Sequence, residues 1–140
     1  MWKRAFRYVT PVVAVSLAIS LGCAAKAEGG PPIPEASQPT TGYTSVEAAL
    51  SALKSRHDVT FSTQGGWIIV ADPSGPTLWS FAPKGHAAYP SAVKRQIENG
   101  PDGVYVNMSV RCEASKVACD DLVRSFQALN EQMARSLKGH

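Results

Sequence analysis

Two periodicities meet at Cys112, and their junction limits the possible folds more than any other stretch. Upstream, Val104, Val106, Met108, Val110 and Cys112 alternate with Tyr105, Asn107, Ser109 and Arg111, the pattern of a strand with one face turned to a core. Downstream, Ser115 suits a helix N-cap, and Ala118, Leu122, Phe126, Leu129, Met133 and Leu137 recur as one apolar stripe. Cys112 falls on the core side of the strand and Cys119 borders the stripe. A disulfide between them would staple the last helix to the last strand. The spacing is C-x6-C on apolar faces, which suits a structural bridge rather than the C-x-x-C of a redox pair.

The earlier elements follow from the same reasoning. Thr44-Ser45-Val46-Glu47 fits a capping box, and Val46, Leu50 and Leu53 recur at helical spacing, which predicts a first helix over Ser45–Arg56. Val59–Thr63 alternates, Gly65-Gly66 is a hairpin signal, and Trp67–Ala71 is a β-branched run suited to a central strand. Asp72–Pro76 is a turn and Thr77–Phe81 alternates again. Ser91–Glu98 fits a strand or a helix by period alone, but the Asn99–Gly103 turn and the strand after it favour a hairpin. The predicted fold is α+β, a two-layer sandwich with an antiparallel sheet of about five strands between an N-terminal and a C-terminal helix, in the order α-β-β-β-β-β-α. One domain, residues 43–138, is expected from a chain of 140 residues that is 44% apolar and 18% charged.

The N-terminus speaks to compartment. Lys3, Arg4 and Arg7 precede an uncharged run from Tyr8 to Ala25, the pattern of a secretory signal peptide, assigned to residues 1–27. Ala25-Lys26-Ala27 is a cleavage site that would release a chain starting at Glu28. Leu21-Gly22-Cys23 instead resembles the end of a lipobox, which would acylate Cys23. A periplasmic protein is expected on the first reading, and an outer-membrane lipoprotein facing the periplasm on the second. Residues 28–42, rich in Pro and Gly with little to bury, read as a flexible tether.

Export also changes the meaning of charge. The whole chain carries +3, with 14 basic and 11 acidic residues. Four of the basic residues precede Glu28 and no acidic residue does, so the remainder has 10 against 11, a net charge of −1. That excludes the basic footprint of a nucleic-acid binder. Membrane contact is expected only through a lipid on Cys23.

Catalytic patterns are weak. Ser91-Ala92-Val93-Lys94 matches S-x-x-K, but so does Ser51-Ala52-Leu53-Lys54, and the companion S-D-N and K-T-G elements are absent. His57, His86 and His140 have no second ligand at metal spacing, so neither metal nor cofactor is expected. The remaining constellation is the Pro-flanked loop Ala82–Pro90 and its flanks. Trp79 and Phe81 precede it, Lys84, His86 and Tyr89 lie within it, and Lys94 and Arg95 follow. If Trp79 and Phe81 face away from the helices, they form an aromatic surface with a basic rim, the residue types that anchor binding hot spots. The alternative is that both are core.

The block Trp79-Ser80-Phe81-Ala82-Pro83, then His86 to Arg95, followed by Arg111-Cys112-Glu113-Ala114 and Ala118-Cys119-Asp120, resembles small exported proteins of Gram-negative bacteria over roughly Trp67 to Met133. The resemblance implies export and paired cysteines and carries no activity. The expected function is a non-enzymatic accessory protein, of the inhibitor or immunity type, that recognises another envelope protein through Trp79–Arg95. A small hydrolase or transferase using His86 with Ser91, or a structural lipoprotein, are the alternatives.

Overall fold

The computed structural model describes residues 30–32 and 40–138. The expected signal peptide, Cys23, His140 and most of the expected tether lie outside the described residues. The elements are α1 (Val46–Lys54), β1 (Thr60–Gln64), β2 (Trp67–Asp72), β3 (Thr77–Phe81), β4 (Ser91–Gly100), β5 (Gly103–Cys112) and α2 (Lys116–Lys138). All five strands form one antiparallel sheet in the order β1-β2-β3-β4-β5, a continuous meander. The α+β class and the element order are those expected from sequence.

The turns form where the chain permits them. Gly65 and Gly66 both have positive φ, 55° and 84°, which only glycine adopts without strain, and they close the two-residue hairpin between the paired residues Gln64 and Trp67.

The layering differs from the two-layer expectation, because the two helices cover opposite faces of the sheet. Directly opposed residues share a face, so Val70, Trp79 and Lys94 stand together, as do Ile68, Phe81 and Ala92. Val46, Ala49 and Leu53 of α1 pack on that face with Val70, Trp79, Phe81 and Ala92. The other face presents Val93, Met108, Val110 and Cys112 to Leu122, Ala118 and Phe126 of α2. The short connection from β5 into α2 commits α2 to the Cys112 side of the pleat. The opposite row is then left for α1. Leu129 and Leu137, assigned to the stripe of α2, are 41% and 48% exposed, while Asn130 is buried. The contact arc is centred nearer Phe126 and Asn130 than the apolar residues alone suggest.

Each helix is fixed by a covalent or charged tie. Ser45 is the N-cap of α1, and its Oγ accepts a hydrogen bond from Ala48 N at 3.0 Å. The cap is therefore one residue later than Thr44. The second acceptor is not Glu47 but Glu113 Oε1, from beyond the end of β5, which accepts from Val46 N at 2.8 Å. Past the other end of α1, Arg56 donates to both oxygens of Asp72 at 2.5 and 2.8 Å and to Asp58, joining the helix exit to the β2–β3 turn. Ser74 N and Oγ also donate to Asp72 Oδ1. Ser115 caps α2, accepting from Ala118 N at 3.3 Å, and Cys112 and Cys119 are bridged with Cα atoms 5.8 Å apart. Within the stretch expected as a tether, the carbonyl of Pro31 accepts from Arg124 Nη2 at 2.6 Å.

Two stability measurements follow. The bridge spans a sequence separation of 7, and the chain-entropy model gives about 2 to 3 kcal/mol for so short a loop. Urea unfolding of the Cys112→Ala/Cys119→Ala variant is expected to show a loss of that size; an unchanged midpoint would mean that the apolar face alone holds α2. The second concerns acid. Hydrogen bonds from Arg56 hold the Asp72 and Asp58 carboxyls below the ordinary carboxylate range. The unfolded chain therefore binds more protons than the native one once pH drops below about 4, and the contribution present above that pH is lost on acidification. Asp72→Asn should flatten the fall of the urea midpoint between about pH 5 and pH 2. An unaltered slope would assign the acid sensitivity elsewhere.

Candidate functional site

The loop Ala82–Pro90 sits at the end of the sheet where β3 hands over to β4, and its own backbone fixes it. Ala82 N donates to Ser91 O at 3.1 Å, closing the base. Inside, His86 N donates to Pro83 O at 2.9 Å and Tyr89 N to His86 O at 3.0 Å, while His86 Nδ1 accepts from Ala88 N at 3.1 Å. At the exit, Glu113 N donates to Pro90 O at 2.9 Å, tying the loop to the chain just after Cys112. Ala88 is fully buried against the α2-side core with Val93 and Leu122. The His86 ring stands edge-on to Trp67 with centroids 4.9 Å apart, and Trp67 in turn meets Phe126 at 5.7 Å. Lys84 and Tyr89 project outward, Tyr89 with 41% exposure.

The remaining residues of the expected site do not join them. Trp79 and Phe81 are each 2% exposed and lie beneath α1, their rings stacked 6.0 Å apart with Tyr43 edge-on to Trp79. The open aromatic face is therefore absent, because α1 covers it. Lys94 and Arg95 separate as successive strand residues must. Lys94 lies on the α1 face, with Nζ 5.6 Å from the Trp79 ring centroid. Arg95 points under α2 and is buried, its guanidinium 5.2 Å from the Phe126 ring and its Nη1 3.5 Å from Met133 Sδ.

The same alternation disposes of S-x-x-K. Ser91 and Lys94 are three residues apart on a strand and point to opposite faces, so the amine cannot take the hydroxyl proton. Ser91 is 1% exposed, and its Oγ has no hydrogen-bond partner among the described residues, His86 included. The His86–Ser91 pair of the hydrolase alternative is not assembled. Among the described residues no group of three His, Cys, Asp or Glu side chains comes together to hold a metal, and no helix is long and apolar enough to cross a membrane.

Sequence reasoning passed over Trp67, which supports His86, and Glu113, which joins the loop exit to α1. For Trp67 the signal was its position beside the Gly65-Gly66 turn, which in a meander lies at the same end as the β3–β4 connection. Glu113 left no local signal. No protein-family model, curated protein or solved structure matches the chain.

The environment of Arg95 generates a prediction. No carboxylate forms an ion pair with it among the described residues, its Nε is buried without a partner, and burial lowers its pKa from the ordinary arginine value. Asn130 Oδ1, on the same side, is also buried without a partner. An unpaired buried cation is costly, and apolar replacement of buried charge is often stabilising. Arg95→Met is expected to raise stability by on the order of 1 kcal/mol in urea unfolding. A loss of similar size would show that the guanidinium contributes more by its ring and sulfur contacts than its desolvation costs.

Proposed function

We propose that this chain is an exported, non-enzymatic accessory protein that recognises another protein of the bacterial envelope, in the manner of an inhibitor or immunity partner. Its recognition surface is the sheet end that carries Lys84, His86 and Tyr89. The observation that supports this reading is the loop's internal bonding. Five hydrogen bonds and a buried alanine hold Ala82–Pro90 in place while Lys84 and Tyr89 face outward. A loop already ordered loses little conformational entropy on association, so more of its contact energy appears as affinity. Tyrosine is among the residues that anchor such contacts, and a lysine beside it contributes steering rather than bulk affinity. The bridged cysteines accord with an oxidising compartment.

Trp79, Phe81 and Arg95 take a structural part in this reading, as the floor on which the surface is built. The test is capture of a defined partner from periplasmic extract by the wild-type chain and by Lys84→Ala/Tyr89→Ala. The double variant should keep the wild-type urea midpoint and lose at least about tenfold in affinity, as removal of one anchor of 1.4 kcal/mol or more implies. Equal affinity of the two proteins would remove the loop from the interface.

A further inference from the structure

At the opposite end of the sheet, on the α1 face, lies a cleft of about 400 Å³. Leu53 and Arg56 bound it on the helix side and Ser74 at the β2–β3 turn, with Thr77, Trp79, Lys94 and Gln96 as its floor. We propose that this cleft binds a small polar molecule carrying a single carboxylate, held by Lys94.

The charges in and beside the cleft select the ligand. Arg56 is largely committed, since four of its five N–H groups, on Nε, Nη1 and Nη2, donate to Asp58 or Asp72. Asp72 is equally occupied, accepting from Arg56 and from Ser74 N and Oγ. That wall therefore offers a ligand at most one N–H, on a guanidinium whose charge is already shared between two carboxylates. Lys94 differs, because no carboxylate pairs with it among the described residues and its ammonium rests against the Trp79 ring. Gln96 stands two residues along β4 on the same face, and Thr77 is directly across from Gln96. An ammonium, an amide and a hydroxyl thus line one floor, a donor set that suits an oxyanion. Trp79, also on that floor, has a buried indole N–H with no acceptor among the described residues.

A dianion is disfavoured. Asp58 and Asp72 outnumber Arg56 by one negative charge, and α1 ends beside the cleft with its C-terminus, the negative end of the helix dipole. One carboxylate can be neutralised by Lys94, whereas a second negative charge would face this field unpaired. The volume is at the small end of ligand sites, which suits a molecule of amino-acid size.

The experiment is a titration of the full chain followed by nuclear magnetic resonance of the assigned indole N–H groups. N-acetylglycine is the monocarboxylate, N-acetylglycinamide its neutral counterpart and inorganic phosphate at about pH 8, where it is mainly doubly charged, the dianion. N-acetylglycine should shift the Trp79 indole resonance saturably while the Trp67 resonance stays in place. Lys94→Gln should weaken binding at least about tenfold, the loss expected for one charge-assisted hydrogen bond, while Lys84→Gln at the far loop should leave it unchanged. The proposal is overturned by binding that survives Lys94→Gln, by equal affinity for the amide, by tighter binding of phosphate, or by no saturable shift. None of those outcomes bears on partner capture by the loop, so the two readings fail separately.

Discussion

The pleat of β4 is the constraint on which the rest of this structure depends. Its alternate residues belong to different cores: Ala92 and Lys94 stand with Trp79 and Phe81 under α1, and Val93 and Arg95 face α2. A strand covered on both sides cannot slip by one residue, because every side chain would move to the wrong layer. The two helices cover their faces unequally. At 1.5 Å per residue, the nine residues of α1 span about 13 Å, while β4 beneath it, with ten residues, runs to about 33 Å. The 23 residues of α2 reach about 34 Å, and its Lys138 comes back to Gly103 at the far turn. The open cleft at Asp72 and Gln96 is thus a consequence of a short helix on a long sheet.

A nine-residue helix is marginal by itself, and the ties on α1 compensate. Glu113 brings a carboxylate to its positive end and Arg56, just beyond its last turn, is clamped by Asp72. A carboxylate at a helix N-terminus is favourable, and here it also supplies an acceptor for a first-turn amide. The helix is in effect suspended between the exit of β5 and the β2–β3 turn, with Val46, Ala49 and Leu53 filling the space between. The burial of Trp79 and Phe81 depends on that suspension.

How much could be read from residues alone follows from the range of each interaction. The Gly65-Gly66 hairpin, the Ser115 cap and the Cys112–Cys119 bridge are local, and each was legible. The separation of Lys94 from Arg95 follows from the strand pattern once β4 is a strand, and it corrects the grouping of both in one basic rim. The side of the sheet open to solvent was not legible, since alternation identifies two faces without saying which helix lies on which. Both faces proved to be covered, and the aromatic pair, for which surface and core placements were both open, lies in a core. The cap of α1 is Ser45, not Thr44, because Ser45 Oγ accepts from Ala48 N, and the carboxylate that completes the first turn arrives from 67 positions away. Asn130 took the place expected for Leu129 because α2 is oriented by its contacts with Arg95 and Met108, which a hydrophobic stripe does not record.

The presented loop and the α2 interface are one mechanical unit. His86 leans on Trp67, Trp67 on Phe126, and Phe126 lies against Arg95, so a line of ring contacts runs from the loop into the buried face of α2. The chain leaving Cys112 also passes through Glu113, whose N–H holds Pro90 at the loop exit and whose carboxylate holds the start of α1. A single short segment therefore fixes the staple, the loop and the opposite helix. Displacing α2 would remove the support beneath Trp67 and release the side of the loop that His86 and Ala88 secure. The rigidity on which the proposed recognition by Lys84 and Tyr89 rests is consequently a property of the stapled helix, and the disulfide supports the loop directly, with Cys112 Sγ 3.9 Å from the Ala88 carbonyl oxygen.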